Sequence, residues 1–331
     1  MDMGKDPSAS VHADSIIIDG LEISAWNEET LTRLRQGGLT AVNATVAVHE
    51  GFRGTVSNIA EWYRMFDRYS SLIMPVRTTD DIRRAKELGK VGLIFGFQST
   101  SPIEDDLYLL SIFKELGVRI IQLTYMNRNY VGDGCLERTD CGLSGFGLEV
   151  VEEMNRLGIL IDLSHVGYTT TMEAIEASEK PVAFTHANPR ALCDHPRNKT
   201  DEQIKALTGK GGVIGANIFP SFLAAGSKAT IEDVVDVIDY LVDLAGIDHV
   251  GIGTDFTEGQ TREWFDWLLT GKSKKGPGME IEYPIVNPEG IQSAADFPNI
   301  TQALLARGYA EPDVRKIMGE NWLRLFEQVW E

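Results

Sequence analysis

The sequence has little cysteine and no long hydrophobic run. Its 331 residues include 3 cysteines, too few for a disulfide framework, so we expect a reducing, cytoplasmic location. No apolar stretch approaches the roughly 20 residues that a membrane-spanning helix needs. The first residues are polar and lack the apolar core of a signal peptide, and we expect residues 1–14 to form a flexible N-terminus.

Basic residues are also scarce relative to acidic ones. The chain has 31 Lys and Arg against 49 Asp and Glu, which gives a formal net charge of −18 at pH 7. Proteins that bind nucleic acid or anionic membrane surfaces do so through clustered Lys and Arg. The charge balance therefore argues against both partners, and a small-molecule substrate is expected instead. The hydrophobic fraction of 43% is that of an ordinary globular protein and excludes disorder along the whole chain.

Short apolar runs alternate with segments whose apolar residues recur at helical spacing. The runs are rich in Val and Ile, as expected of strands buried on both faces. They are Ser15–Asp19, Thr40–Val48, Leu72–Val76, Val91–Gln98, Val118–Tyr125, Gly158–His165, Pro181–His186, Gly212–Phe219 and His249–Phe256. Such alternation predicts an α/β fold, a (β/α)8 TIM barrel formed by a single domain over residues 15–331. A doubly wound open sheet is the alternative, although no GxGxxG motif follows the first run.

Three further segments complete the expected barrel. The long loops Met126–Gly147 and Thr257–Gln292 each follow a strand, which places them on the C-terminal rim where barrel enzymes carry their active sites. The segment Pro312–Trp330 is predicted to form a C-terminal helix. Its apolar stripe is expected to pack on the barrel.

Polar residues capable of binding a metal end three of the apolar runs. His165, His186 and Asp255 each stand at the C-terminal end of a predicted strand. A barrel brings such strand ends to one rim. Two imidazoles and a carboxylate suit Zn²⁺ or a similar divalent ion, which would lower the pKa of a bound water and polarise a carbonyl.

Four motifs stand out along the chain. They are GLSGFGLEVVEEMNRLGILIDLSHV (Gly142–Val166), PVAFTHANPRALCDHPRN (Pro181–Asn198), VGIGTDF (Val250–Phe256), and ADFPNITQALLARGY with VRKIMGENWLRLF (Ala295–Phe326). In sequence, order and spacing they resemble the motifs of the membrane dipeptidase (renal dipeptidase-like) family, peptidase family M19 of the amidohydrolase superfamily. The resemblance extends from about Asp19 to the C-terminus and implies a TIM barrel with zinc at its C-terminal rim.

The resemblance implies roles for four residues of this chain. His165 and His186 match the histidines that bind the more buried zinc of the family. Asp255 matches the catalytic aspartate that shuttles a proton, and Arg197 matches the arginine that holds the substrate. A guanidinium suits a substrate carboxylate because its N–H groups match two oxygens.

Other family positions are substituted here. Leu21 and Ile23 replace a histidine and an aspartate that bind the second zinc, Gln98 replaces the bridging glutamate, and Tyr125 replaces a substrate-binding histidine. Two adjacent zinc ions need anionic ligands to offset their repulsion. We therefore expect at most one Zn²⁺, with His165 and His186 as ligands and Gln98, Tyr125 or Asp255 as further candidates. Another divalent metal is an alternative.

Two more residues are candidates for the rim. Glu22 could substitute for a lost ligand, although strand alternation should point it away from the face of Leu21 and Ile23 unless a bulge intervenes. His49 ends the second apolar run. For His49 the structural interpretation, an ordinary polar residue at a strand end, remains open beside the functional one.

Three functions remain open at this stage. The first is a mononuclear hydrolase acting on a dipeptide or a small carboxylate-bearing amide, with Asp255 as general base and Arg197 and Tyr125 on the substrate. The second keeps the barrel and the metal but performs deamination, decarboxylation or C–N or C–C cleavage. The third is a metal-free protein that binds a ligand. A homodimer is expected from the resemblance.

Overall fold

Nine short strands form one parallel sheet in the described part of the chain. The computed structural model describes residues 7–270, 279 and 281–330. The strands are β1 (Ile18–Glu22), β2 (Ala41–Ala47), β3 (Ile73–Val76), β4 (Val91–Phe97), β5 (Val118–Gln122), β6 (Leu160–Asp162), β7 (Ala183–Phe184), β8 (Val213–Ala216) and β9 (Val250–Ile252). Eight of them lie inside the predicted apolar runs. β1 begins three residues later than the run assigned to it.

The sheet closes on itself. Its order is β2-β1-β9-β8-β7-β6-β5-β4-β3, and a further pairing of β2 with β4 joins the two ends. β1, β2 and β4 to β9 therefore form a closed eight-stranded barrel. β3 pairs with residues 91–94 of β4, and β5 pairs with residues 95–97. The closure confirms the predicted TIM barrel and excludes the open doubly wound sheet.

Helices lie between the strands and cover the barrel. They are α1 (Pro7–Asp14), α2 (Glu28–Gln36), α3 (Phe52–Arg68), α4 (Thr79–Leu88), α5 (Leu109–Glu115), α6 (Gly145–Leu157), α7 (Tyr168–Ala177), α8 (Asp201–Gly209), α9 (Ile231–Ala245), α10 (Arg262–Thr270), α11 (Phe297–Arg307), α12 (Glu311–Arg315) and α13 (Asn321–Trp330). α4 and α6 end at Gly89 and Gly158, whose φ angles of 61° and 63° are left-handed. Within the described residues, no helix combines the length and apolarity needed to cross a membrane.

The C-terminal helix α13 plugs the bottom of the barrel. The Trp322 indole is completely buried, and its Nε1–H donates to Ile252 O over 3.0 Å. Gly20, Gly215 and Gly251 face it so closely that a Cβ atom on any of them would lie 2.4–3.0 Å from the indole. Glycine at these positions provides the space for the ring. The barrel interior is therefore filled below the rim, and space for a ligand remains at the top.

Three segments differ from the sequence-based expectation. Residues 7–14, expected to be flexible, form α1 because Val11 is buried and the buried His12 bonds Thr301 Oγ1 at 2.6 Å and Gly37 O at 2.8 Å. Residues 1–6 lie outside the described residues.

The predicted helix 312–330 is interrupted between α12 and α13 by a wide turn. A Cβ atom on Gly319 would lie 2.3 Å from Ile16 O, so the chain there must approach the segment before β1 closely. The expected loop 257–292 contains α10, and residues 271–278 and 280 of it lie outside the described residues.

Candidate functional site

The two strand-end histidines meet at the top of the barrel. His165 follows β6 and His186 follows β7, and these strands are neighbours in the sheet. The two Nε2 atoms lie 3.0 Å apart, and the side chains are 2% and 0% exposed. Burial, together with the nearby positive charge of Arg197, holds the pKa of both imidazoles well below the ordinary 6.5. Both rings are therefore neutral at physiological pH and able to act as ligands.

A buried carboxylate determines which nitrogen of His186 carries the proton. Asp162 accepts hydrogen bonds from the hydroxyl of Ser164 at 2.6 Å and from the hydroxyl of Thr185 at 2.7 Å. Since the Thr185 hydroxyl is used as a donor there, its oxygen accepts from His186 Nδ1–H at 2.7 Å. The lone pair of His186 Nε2 is then directed at His165. Such support behind a histidine is typical of metal ligands.

The histidine pair fits a single ion. Two imidazole nitrogens on one zinc, each about 2.0–2.1 Å from it, lie about 3.3 Å apart in tetrahedral geometry. The observed 3.0 Å between Nε2 atoms is close to this value. Buried His165 Nδ1 has no hydrogen-bond partner among the described residues. No group of three His, Cys, Asp or Glu side chains arranged for a metal was found in the part of the chain that the structure describes.

Four of the predicted site residues line one small cavity. Gln98, Tyr125, His165 and Asp255 surround a space of about 20 Å³, whose remaining walls are mostly apolar and include Ile23. The amide nitrogen of Gln98 donates to Thr45 Oγ1 over 3.0 Å, so its amide oxygen is the atom it can offer to an ion. The structure thus brings together four of the six predicted site residues at this cavity, whereas His186 and Arg197 do not line it.

The positions that lost family ligands carry no donor side chain. Ile23 is 6% exposed and presents its hydrocarbon to the cavity. Leu21 is buried, and its backbone oxygen accepts a hydrogen bond from the N–H of Asp255 at 3.0 Å. These two side chains cannot bind a second ion.

Asp255 is held in an unusual backbone conformation. Its φ angle is 61°, in the left-handed region that Asp tolerates better than most residues. Asn217 Nδ2 donates to its Oδ2 over 3.3 Å. Burial raises the pKa of this carboxyl to about 6, although the positive charge of Arg197 acts in the opposite direction. Its pKa therefore lies close to neutral pH, where a general base is most effective.

Tyr125 packs against the metal-ligand candidate His165. The two rings stack with centroids 4.3 Å apart and an angle of 25°. Burial raises the pKa of the phenol, so the hydroxyl stays protonated at neutral pH. It is thus available as a hydrogen-bond donor towards the cavity.

Arg197 lies beneath the strand ends rather than at the surface. It is 1% exposed, and it donates to Ser164 O at 2.6 Å and to His186 O. Its Nε–H is buried without a hydrogen-bond partner among the described residues. The guanidinium therefore fixes the two histidine-bearing strand ends, while its Nε–H stays unused.

Glu22 and His49 lie outside the small cavity. The β1–β2 register shifts between Asp19 and Glu22, and buried Glu22 accepts from the Ser24 hydroxyl at 2.7 Å. His49 Nε2 donates to Leu268 O at 2.9 Å, and its ring makes edge contacts with Tyr125 and Trp267. His49 thus connects α10 to the ring that covers His165.

A wide cleft of about 820 Å³ adjoins the small cavity. Tyr125 lines both spaces, and His49 lines the cleft. Most of the other lining residues are of polar types, and most belong to segments 99–105 and 127–130. A substrate of ordinary metabolite size fits this volume.

Sequence reasoning missed the supporting residues Asp162, Thr185 and Asn217. The first two lie in the same motifs as the histidines. Their partners stand on neighbouring strands, so their roles become visible only when the barrel is assembled.

Comparison with known proteins finds a matching family and related dipeptidases. The family model described as "Membrane dipeptidase (Peptidase family M19)" matches residues 9–267 and 276–331. Dipeptidase tcpJ of Claviceps purpurea (strain 20.1) is 30% identical over 284 residues, 85% of this chain and 61% of that protein. An uncharacterized dipeptidase, C965.12, of Schizosaccharomyces pombe is 29% identical over 83% of this chain and 62% of its own length. The chain thus spans about three fifths of these two relatives.

Solved structures share the fold. An amidohydrolase from Pseudomonas aeruginosa is 48% identical, with a TM-score of 0.95 over 98% of this chain and 99% of that one. A metallo peptidase from Rhodobacter sphaeroides, liganded with a phosphinate mimic of the dipeptide L-Ala-D-Ala, is 23% identical with a TM-score of 0.81, over 96% of this chain and 100% of that one. The family match covers nearly the whole chain and confirms the resemblance seen in the motifs: this chain belongs to the membrane dipeptidase family, peptidase family M19.

Proposed function

We propose that this chain is a hydrolase of dipeptides or small carboxylate-bearing amides that uses one divalent ion, Zn²⁺, held by His165 and His186. The observation that carries the proposal is the 3.0 Å separation of the two neutral Nε2 atoms, beside a cavity that His165 and Asp255 both line. The family and the dipeptidase relative at 30% identity support the substrate class.

One ion, rather than two, agrees with the charges of the site. Leu21 and Ile23 supply neither donors nor negative charge, whereas the buried cation Arg197 lies nearby. A second divalent ion would add two positive charges without compensation. Gln98 can contribute its amide oxygen beside the histidines.

Asp255 is the proton acceptor in this proposal. A divalent ion, when bound, lowers the pKa of a coordinated water and polarises the carbonyl. Asp255, with a pKa of about 6, takes a proton from the attacking water near neutral pH and returns it to the leaving amine. The Tyr125 hydroxyl donates to the oxygen on which negative charge develops.

Arg197 is the proposed partner of the substrate carboxylate. Its Nε–H is buried and has no partner among the described residues, so a ligand oxygen would relieve the cost of leaving a charged donor unpaired. The bond would be charge-assisted.

Metal content and turnover test the proposal together. Protein purified without chelator should contain about one zinc per chain by elemental analysis and should hydrolyse members of a dipeptide panel. His165→Ala should lose both properties. The matched control is His249→Ala, because His249 bonds Gly212 O at 2.7 Å beside the start of β9, at the opposite end of the barrel.

Other results for metal content and turnover would point to other functions. Two ions per chain would show that other residues rebuild the second site. One ion with turnover of non-peptide substrates alone would favour deamination, decarboxylation or another cleavage. No ion, even with added Zn²⁺ or Mn²⁺, would overturn the metal-dependent hydrolase and leave a metal-free ligand-binding protein.

A further inference from the structure

Asn217 contacts the carboxylate of Asp255 from the neighbouring strand end. It follows β8 and is completely buried, and its Nδ2 donates to Asp255 Oδ2 over 3.3 Å and to His186 O over 3.5 Å. We propose that Asn217 is a positioning residue that orients the Asp255 carboxylate for proton transfer. The inference rests on the proposed function, in which Asp255 is the proton acceptor.

The orientation of the Asn217 amide is determined by a second contact. Its Oδ1 accepts the backbone N–H of Phe219 at 2.6 Å. A flipped amide would place its NH₂ group against this N–H, donor against donor. The NH₂ group must therefore face Asp255, and its two hydrogens serve Asp255 and His186.

The backbone of Asn217 is held as firmly as its side chain. Asn188 Oδ1 accepts the N–H of Asn217 at 2.8 Å, and Asn188 Nδ2 donates to the carbonyl of Asn217 at 2.8 Å. This reciprocal pair joins the ends of β7 and β8. Because Asn188 and Phe219 restrain it from two sides, Asn217 cannot follow a carboxylate that rotates away.

Asp255 depends on this contact for its orientation. Its backbone is restrained, since its N–H donates to Leu21 O and its φ angle is 61°. Its side chain accepts the hydrogen bond of Asn217 and, within the described residues, no other. Without that bond the carboxylate can leave the geometry needed for proton transfer, and displacements of about 1 Å cost about 10²-fold in rate.

Asn217→Asp tests the inference, with Asn198→Asp as its matched control. The substitution keeps the oxygen that accepts from Phe219 but places a carboxylate against Asp255. Asn198 is another buried asparagine, and its amide donates to Cys193 O at 2.9 Å and Phe222 O at 3.1 Å. We expect kcat to fall about 30-fold or more in Asn217→Asp with KM changed less than about threefold. Both constants should stay within about threefold of wild type in Asn198→Asp.

A double-mutant cycle separates positioning from general damage. In an Asp255→Asn background, Asn217→Asp should lower kcat no further, because its effect acts through Asp255. Equal losses of kcat in Asn217→Asp and Asn198→Asp, or a full additional loss in the Asp255→Asn background, would overturn the inference.

Crystal structures provide a test that needs no turnover. The Asp255 carboxylate should be displaced or rotated in Asn217→Asp and unchanged in Asn198→Asp. An unmoved carboxylate in Asn217→Asp overturns the inference. If wild-type protein hydrolyses nothing, the proposed function fails, and this comparison still decides whether Asn217 orients Asp255.

Discussion

At the residue scale, the chemistry of the candidate site depends on single buried ionisable groups. Asp255 combines a left-handed backbone, one side-chain hydrogen bond and a pKa of about 6. Such perturbed groups are typical of functional sites because burial and neighbouring charges are arranged there to serve a reaction.

The pH dependence of hydrolysis should follow Asp255. As a general base it must be ionised, so kcat/KM should fall about tenfold for each pH unit below about 6. Asp255→Asn should lower kcat by about 10²–10⁴-fold and remove this acidic limb. A pH–rate profile of both proteins with one dipeptide checks this. An acidic limb that persists in Asp255→Asn would assign it to another group.

Asp19 should make the fold less stable as the pH rises. Burial raises its pKa from 3.8 to about 7, although Thr254 and Leu21 donate hydrogen bonds to it. Its folded form binds a proton more tightly than its unfolded form, so its contribution to stability is complete below pH 3.8 and is lost as the pH rises through about 7.

Asp19→Asn should therefore stabilise the protein at pH 8 by a few kcal/mol, at about 1.4 kcal/mol per pH unit of altered pKa. The gain should shrink towards pH 4. Urea unfolding at both pH values measures it, with the exposed Asp67→Asn as a control that changes little. A gain that is the same at pH 4 and pH 8 would refute the charge explanation.

At the scale of secondary-structure elements, the barrel has one end closed by a helix and one open end. α13 fills the bottom with Trp322, while the ends of β6 to β9 deliver His165, His186, Asn217 and Asp255 to the top. Short strands followed by irregular segments allow the side chains at the rim to vary without disturbing the barrel.

Removing the buried Trp322 side chain should lower the stability of the protein. Trp322→Ala leaves a cavity beneath Gly20, Gly215 and Gly251, and it should lower the free energy of unfolding by about 3–5 kcal/mol. Denaturant unfolding is the measurement. Tyr108→Ala, which truncates a side chain 82% exposed, should change stability by less than about 0.5 kcal/mol. Similar losses in both variants would mean that Trp322 is not packed as described.

At the scale of the whole molecule, the acidic surface opposes folding. With 49 acidic and 31 basic residues, like charges repel across the closed barrel. The exposed ion pairs offset little of this repulsion, because such pairs contribute about 0–1 kcal/mol each. The expected homodimer would bring two such surfaces together and stays a prediction.

Salt should therefore stabilise the protein. Raising the ionic strength from about 0.01 M to 0.15 M shortens the screening length from about 30 Å to about 8 Å and weakens the repulsion. The Tm at pH 7.5 should rise by several degrees over this range. Sucrose of equal osmolality is the control for general solvent effects. A Tm that falls with salt would mean that attractive ion pairs outweigh the net charge.

The barrel and most of the candidate site residues could be predicted from the amino-acid pattern alone. Apolar runs marked the strands because burial on both faces requires such runs, and apolar residues at helical spacing marked the helices between them. His165, His186 and Asp255 were recognisable because each follows a run and lies in a long family motif. The losses at Leu21, Ile23 and Gln98 were equally visible, since ligand chemistry depends on residue type alone.

Which atoms contact each other could not be predicted without the folded barrel. The Nε2 contact of the two histidines, the support of His186 through Thr185 and Asp162, and the bond from Asn217 to Asp255 join residues on different strands. Whether Arg197 is buried and whether residues 7–14 form a helix likewise depend on contacts with residues distant in sequence. Periodicity reports which face of an element is buried, whereas hydrogen-bond partners depend on the register and closure of the barrel.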